Sequence, residues 1–294
     1  MTKTARSRMR ALLEDRICIP CASVFDPISA RMADDIGFKT GILGGSVTSL
    51  MTLGVPDICQ LTLSELVEQA RRVCRASGLP VIVDGDNGYG NALNVVRTIE
   101  ALEYACASLV TLEDTVLPYA YNGSPQQLIP VDEACSKLKA ALKTRRDTEF
   151  AIFARTHALP GQPTEKLLER VRAYSATGID GLVIFGLTDK DTLAQIAANT
   201  HLPLMLISYG DTDLGSQQSL ADHKVRIRLQ GHLAYEAAVR ATYHSLQALH
   251  QRYNPAAEMR HTDAPAKTLL QEYARHAHYD ALIEEYVTPA RSKN

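Results

Sequence analysis

The run Val81-Ile82-Val83-Asp84-Gly85-Asp86 sets two carboxylates directly after three β-branched apolar residues, and Asn87-Gly88-Tyr89-Gly90 follows. The apolar residues read as a buried strand. Acids at the end of a buried strand carry a desolvation cost unless a cation or a hydrogen-bond network meets them. Mg2+ takes one or two carboxylates and keeps several waters, so one reading is a Mg2+ site at the strand end, with Mn2+ as a substitute. The other is an aspartate capping a helix beside a loop acid.

Polar side chains follow several other short apolar runs. Gly44-Gly45-Ser46, Glu113-Asp114, Arg155, His157, Tyr209 and His232 all stand in such places, and Asp57 lies on the loop after the second run. Several acids can share one Mg2+, with one in direct contact and others holding its waters. An arginine beside them repels the ion and needs an anion of its own, and a substrate carboxylate taken bidentately fits. The backbone amides and hydroxyl of Gly44-Gly45-Ser46 suit a second anionic group. The ligand implied is a small dianion that also chelates metal, as a 2-oxo acid does through its 1-carboxylate and 2-keto oxygens. Cleaving a bond at C3 then leaves an enolate whose charge the ion stabilises.

These residues need a scaffold that brings distant strand ends together. Residues 1–14 read as a short helix with Met9, Leu12 and Leu13 on one side, and residues 17–24 as a strand. Asp26-Pro27 opens a helix that Gly37 ends. A second strand spans 40–43, and the capping box Thr62 to Glu65 opens the next helix. Further strands fall at 81–83, 109–112, 150–154, 181–185, 204–208 and 225–229, with helical patterns at 131–142, 164–176, 192–198 and 233–252 and another capped by Asn91. Eight strands alternating with helical patterns predict an α/β fold, a (β/α)8 TIM-type barrel over residues 1–253, with its active site at the C-terminal strand ends. No Gly-x-Gly-x-x-Gly follows the first strand, so dinucleotide binding has no support. Residues 254–265 read as a polar linker. One extra C-terminal helix follows, carrying Leu269, Leu270, Tyr273, Ala277, Leu282, Ile283 and Tyr286. It needs an apolar surface, on its own barrel or on a neighbouring subunit.

The 294 residues carry a formal charge of −2 with no long basic run, which leaves no electrostatic footprint for nucleic acid. Lys3, Arg6, Arg8 and Arg10 lead into no long apolar run, so no secretory signal is expected. Nothing approaches the roughly 18 apolar residues of a membrane span, and a soluble, cytoplasmic protein is expected. Cys18-x-x-Cys21 has no second pair or nearby histidine to complete a zinc site and reads as a reduced, buried pair.

Gly44-Gly45-Ser46, Pro56-Asp57, Asp84-Gly85-Asp86-Asn87-Gly88-Tyr89-Gly90, Glu113-Asp114 and Arg155 resemble, in that order, the isocitrate lyase/phosphoenolpyruvate mutase superfamily. The match runs from about residue 16 to residue 250. The resemblance implies a Mg2+-dependent barrel that acts on 2-oxo acids or their relatives through an enolate. It also implies a homotetramer, a dimer of dimers that swap their C-terminal helices. Carried over by position, Asp84 is the direct Mg2+ ligand, and Asp57, Asp86 and Glu113 act through metal-bound water. Ser46, with the amide of Gly45 beside it, takes the 1-carboxylate, and Arg155 clamps the oxo acid.

Departures from the family pattern narrow the reaction. Lyases of the superfamily carry Lys-Lys-Cys-Gly-His on a mobile loop with the cysteine as general acid, whereas residues 115–130 here hold neither Cys nor Lys. Phosphonopyruvate enzymes carry Lys after the Glu-Asp pair and again after the loop proline, where Thr115 and Tyr119 stand here; Asn122 is the polar group left on the loop. Gly231-His232, with Thr115-Val116-Leu117-Pro118, resembles the oxaloacetate decarboxylase branch, in which a histidine at this place contacts the substrate. The reading is then Mg2+-dependent decarboxylation of oxaloacetate, a small 2-oxo dicarboxylate. His232 would donate a hydrogen bond that strengthens as the enolate forms, and Tyr209 would contact the substrate. Another 2-oxo acid C–C or P–C cleaving enzyme, of phosphonopyruvate hydrolase or mutase type, and a barrel that binds an oxo acid without turning it over remain alternatives.

Overall fold

The computed structural model describes residues 4–123, 126–210, 212–256 and 264–288. Helix α1 (Ala5–Glu14) precedes two short strands, β1 (Ile19–Pro20) and β2 (Ala22–Ser23). Helix α2 (Pro27–Ile36) starts at an Asp26–Ser29 capping box and stops at Gly37, whose φ of 103° is left-handed. Strand β3 (Gly41–Leu43) runs into α3 (Gly45–Leu53). The later strands are β4 (Val81–Asp84), β5 (Leu109–Glu113), β6 (Ala151–His157), β7 (Gly181–Phe185), β8 (Leu204–Ser208) and β9 (Val225–Gln230). Around them lie α4 (Leu63–Cys74), α5 (Ala92–Tyr104), α6 (Val131–Thr144), α7 (Thr164–Ser175), α8 (Lys190–Ala198), α9 (Gln217–Asp222) and α10 (Leu233–Tyr253).

The strands are all parallel, in the order β1-β9-β8-β7-β6-β5-β4-β3-β2. β1 and β2 are two halves of the expected first strand. Ile19 pairs with Ile227 of β9 on one side, and Ala22 pairs with Gly41 of β3 on the other, so the change of partner at Cys21 closes the barrel. The expected TIM-type barrel is the observed fold, and no helix among the described residues is long and apolar enough to cross a membrane. Cys18 and Cys21 are buried and free.

Alternate residues of each strand face the barrel axis. Ile42, Ile82, Leu109, Phe153, Val183, Met205 and Ile227 form the inner cluster with Met9 and Leu13 of α1. Their neighbours in sequence, Leu43, Val83, Val110, Ile152, Leu182 and Leu206, pack outward under the helices. α1 plugs the N-terminal end. Arg6 donates to the carbonyls of Glu103 and Ala107, and Arg10 to those of Thr148, Glu149 and Phe150, all ahead of β5 and β6.

Three expectations need correction. No helix is expected between the second strand and the Thr62 capping box, yet α3 starts there at Gly45. Its cap is Gly44, which offers no side-chain oxygen, so the usual polar start signal is missing. β6 continues through Arg155 and Thr156 to His157 rather than ending at Ala154, because it pairs with β7 as far as His157. The single C-terminal helix is broken into α11 (Ala266–Tyr273), α12 (His276–Leu282) and a π-helical turn (Ile283–Val287). The break falls at Arg275, whose φ of 58° is left-handed. Residues 257–263 of the expected linker and 289–294 of the tail lie outside the described residues.

The innermost contact gives a test of the packing. A Cβ on Gly181 would lie 2.2 Å from Cζ of the buried Phe153, its register partner on β6. Gly181→Ala is expected to lower stability by about 1–3 kcal/mol through overpacking, read as a fall in thermal midpoint. An unchanged midpoint would contradict this packing.

Candidate active site

The inward parity that builds the apolar core also builds the open end. Ile82 is followed two residues on by Asp84, Leu109 by Thr111 and Glu113, Phe153 by Arg155 and His157, Val183 by Phe185, and Cys21 by Ser23. Each strand thus carries its apolar layer into a polar one at the C-terminal end.

Arg155 is the centre of this layer. Its Nη1 donates to Asp84 Oδ2 at 2.7 Å, and its Nη2 lies 3.1 Å from Glu113 Oε2. Asp84 Oδ1 accepts from Thr111 Oγ1 at 3.0 Å, and His157 Nε2 lies 3.4 Å from Glu113 Oε2. The guanidinium stacks over the Phe185 ring with its carbon 5.1 Å from the centroid, a cation–π contact. Two of its nitrogens are shared with the acids, and Nε, buried, has no partner among the described residues.

The acids are crowded. Asp57 stands at the rim, where desolvation of its carboxyl, with Asp84 and Glu113 adding repulsion against Arg155, pushes it up to about 6. Burial and the charges of Asp84, Asp57 and Glu113 drive Asp86 well above the carboxylate range. Glu113 goes the other way: burial raises it, but Arg155, His157 and Thr115 together bring it below its ordinary value. Four carboxyl groups therefore converge around one guanidinium, and the two farther from Arg155's grip resist ionisation. This donor set fits a hard divalent cation. Among the described residues no three carboxylate, imidazole or thiolate groups stand close enough to hold a metal together, and an ion that keeps most of its waters needs only one or two.

The opposite wall is aromatic. The rings of His157 and Phe185 lie 4.9 Å apart, Phe185 and Tyr209 5.8 Å, and Tyr209 and His232 6.1 Å. Desolvation pushes the Tyr209 phenol up, with Arg155 and a hydrogen bond with Ser46 acting against it. His232 is buried, and its desolvation, helped by Arg155 and opposed by Asp84, lowers its pKa. Its imidazole is therefore neutral near pH 7. Gly44 and Gly45 let this wall approach the acids. A Cβ on Gly44 would lie 2.7 Å from His232 Cε1, and one on Gly45 2.7 Å from Asp86 Oδ1. Because Gly44 supplies no side-chain cap, the first amides of α3 stay free for an anion.

Asp114, grouped with Glu113 in sequence, has the opposite parity. Its Oδ2 accepts from Thr156 Oγ1 (2.7 Å), Arg170 Nη1 (2.9 Å) and the Tyr174 hydroxyl (2.6 Å), a structural knot behind the sheet. Sequence reasoning missed Ser23, Thr111 and Phe185. It also gave no role to Asn87, whose Nδ2 donates to the Leu117 carbonyl at 2.8 Å and ties the 115–130 loop to the acid turn.

With this geometry in view, the kinship of the chain is plain. The family model described as phosphoenolpyruvate phosphomutase matches residues 9–250, and the chain belongs to that family. Over 285 residues it is 46% identical to oxaloacetate decarboxylase 1 of Pseudomonas fluorescens, covering 96% of each. Over 270 residues it is 48% identical to an oxaloacetate decarboxylase of Chromohalobacter salexigens, covering 91% of this chain and 93% of the relative. Among solved structures it resembles an oxaloacetate acetylhydrolase (TM-score 0.75, 26% identity, 96% of this chain and 97% of that one). It also resembles a phosphonopyruvate hydrolase in complex with oxalate and Mg2+ (TM-score 0.74, 26% identity, 96% and 99%).

The crowding predicts a pH signature in protein treated with EDTA. A raised folded pKa means that ionised Asp57 opposes folding above 6, and that the penalty fades as pH falls toward the ordinary 3.8. Asp57→Asn should raise the thermal midpoint over wild type at pH 7.5, and the gap should shrink between pH 6 and 4. Saturating Mg2+ should reverse the order at pH 7.5. A gap independent of pH would contradict the crowding.

Proposed function

We propose that this chain decarboxylates oxaloacetate to pyruvate and CO2 in the cytoplasm, with Mg2+ or Mn2+ among the acids of the barrel mouth. The observation that carries the reading is the pairing of walls. Arg155 lies between Asp84 and Glu113, and neutral His232 and Tyr209 stand opposite, beside the free amides of α3. The 46% identity to an oxaloacetate decarboxylase across nearly the whole chain supports the substrate, and the oxalate and Mg2+ of the phosphonopyruvate hydrolase relative support the metal.

Asp84 would hold the ion directly, and Asp57, Asp86 and Glu113 would hold its waters. When bound, the ion supplies Lewis-acid stabilisation of the enolate charge, worth several kcal/mol. Ser46 and the Gly45 amide take the C1 carboxylate, and Arg155 clamps the oxo acid from the side of β6. The C3–C4 bond breaks, its electron pair becomes the second C2–C3 bond, the carbonyl π pair moves onto the keto oxygen to give the enolate, and CO2 leaves without a proton. His232 donates to the keto oxygen or the departing carboxylate, and this bond strengthens as charge gathers. Water then protonates C3 to give pyruvate. No side-chain acid is required at C3, which suits a 115–130 loop with neither Cys nor Lys.

The proposal extends to assembly. Residues 1–253 form the catalytic barrel; in the segment that follows, residues 254–294, α11 rests on its own α10, where the rings of Tyr243 and Tyr273 lie 5.9 Å apart, and the segment's outer face packs on a neighbouring subunit in a homotetramer, a dimer of helix-swapped dimers. α10 buries none of its residues, and Leu246, Leu249 and Tyr253 lie exposed along it. Between α2 and α10 runs an apolar groove of about 740 Å³, lined by Ile28, Met32, Ile36, Leu233 and Ala237. A second copy's C-terminal segment suits this groove, and sedimentation at the mass of four chains is expected; a monomer at micromolar concentration would remove the assembly.

Pyruvate release from oxaloacetate tests the activity, against a blank for the slow reaction driven by free Mg2+. Wild type should exceed the blank, EDTA should abolish the excess, and Asp84→Ala should lose about 100-fold or more. His232→Ala should lower kcat by about 10- to 100-fold. Wild type no faster than the blank would sink the decarboxylase reading. Acetate and oxalate in place of pyruvate would reassign the chain to hydrolytic C–C cleavage, and faster turnover of phosphonopyruvate to P–C cleavage.

A further inference from the structure

Ser23 sits at the barrel seam, where the first strand leaves β9 for β3. It pairs in register with Ile42, two residues before Gly44, and its inward parity aims it at the mouth. Its Oγ lies 2.7 Å from His232 Nδ1, across 209 residues of sequence. Among the described residues Oγ has no other hydrogen-bond partner. The far side of the imidazole faces Gly44: a Cβ there would stand 2.7 Å from Cε1 and 3.1 Å from Nε2. The ring is thus held between a hydroxyl and a bare backbone, with Nδ1 engaged and Nε2 turned toward the start of α3.

We infer that Ser23 is a positioning residue for the decarboxylation, donating its hydroxyl proton to Nδ1 of His232 and so fixing the tautomer that carries its proton on Nε2. A neutral imidazole has one N–H, and the hydrogen bond on one nitrogen decides which nitrogen bears it. With Nδ1 accepting from Ser23, Nε2–H is the donor, aimed at the substrate oxygen where charge develops. If Nδ1 instead donated to Ser23, Nε2 would be a bare acceptor and would repel a carboxylate or an enolate. The lowered pKa of His232 keeps the ring neutral, so the choice of tautomer matters near pH 7. The substrate role rests on the decarboxylase reading, whereas the tautomer assignment needs only an anionic oxygen facing Nε2 and the Ser23–His232 contact.

Two measurements separate these claims. In 15N-histidine-labelled protein, with His232 assigned by difference against His232→Ala, wild type should show a protonated Nε2 and an unprotonated, hydrogen-bonded Nδ1. Ser23→Ala should mix the two tautomers and lower kcat by about tenfold, with KM changed much less, because the lost bond serves the charged state more than the ground state. Ser23→Thr, which keeps a hydroxyl, should recover most of kcat and the wild-type spectrum. A wild-type ring protonated on Nδ1, or a Ser23→Ala variant with unchanged kcat and spectrum, would overturn the inference. If wild type fails to decarboxylate oxaloacetate while its spectrum shows the Nε2–H tautomer shifting in Ser23→Ala, the dyad stands and the substrate assignment falls.

Discussion

A closed parallel barrel points every second strand residue at its axis, and this period of two governs the whole molecule. In the lower layers it places Ile42, Ile82, Leu109, Phe153 and Val183 in the core. Carried one or two steps further along the same strands, it places Asp84, Glu113, Arg155, His157 and Phe185 around one small space. The apolar layers are self-sufficient, while the polar layer is not. It gathers four carboxyl groups about a single guanidinium, and the upward push on Asp57 and Asp86 expresses the imbalance. In the proposed function a divalent cation would resolve it, and a chelating dianion would then balance the cation and Arg155 together.

Much of the scaffold was legible because its signals are local. The Asp26-Pro27 helix start, the Thr62 capping box, Gly37 and the β-branched runs each declare an element within a few residues. α3 was not legible, since Gly44-Gly45 reads as loop and the helix starts without a side-chain cap. The break at Arg275 was equally hidden, because an unbroken helical spacing of apolar residues runs through it.

The site was partly legible. Motif resemblance brought Ser46, Asp57, Asp84, Asp86, Glu113 and Arg155 forward, and the structure gathers them at one end. Counting by twos from Leu109 would have parted Glu113 from Asp114, so that signal was present and unused. Phe185 looks like any core residue at a strand end, and nothing in its type shows that it lies under the Arg155 guanidinium. Ser23 and His232 meet only because the first and last strands close the barrel, a long-range fact that no local pattern carries.

The central claim is that the acid layer is one divalent-cation site, completed by an oxo-acid ligand. Electron paramagnetic resonance of Mn2+ titrated into the wild-type protein tests it directly, with and without oxalate. One bound Mn2+ per chain is expected, displaced by Mg2+, with its affinity raised by oxalate and its spectrum altered as oxalate replaces water. Mn2+ binding that ignores oxalate, or that persists unchanged in Asp84→Ala, would contradict the account.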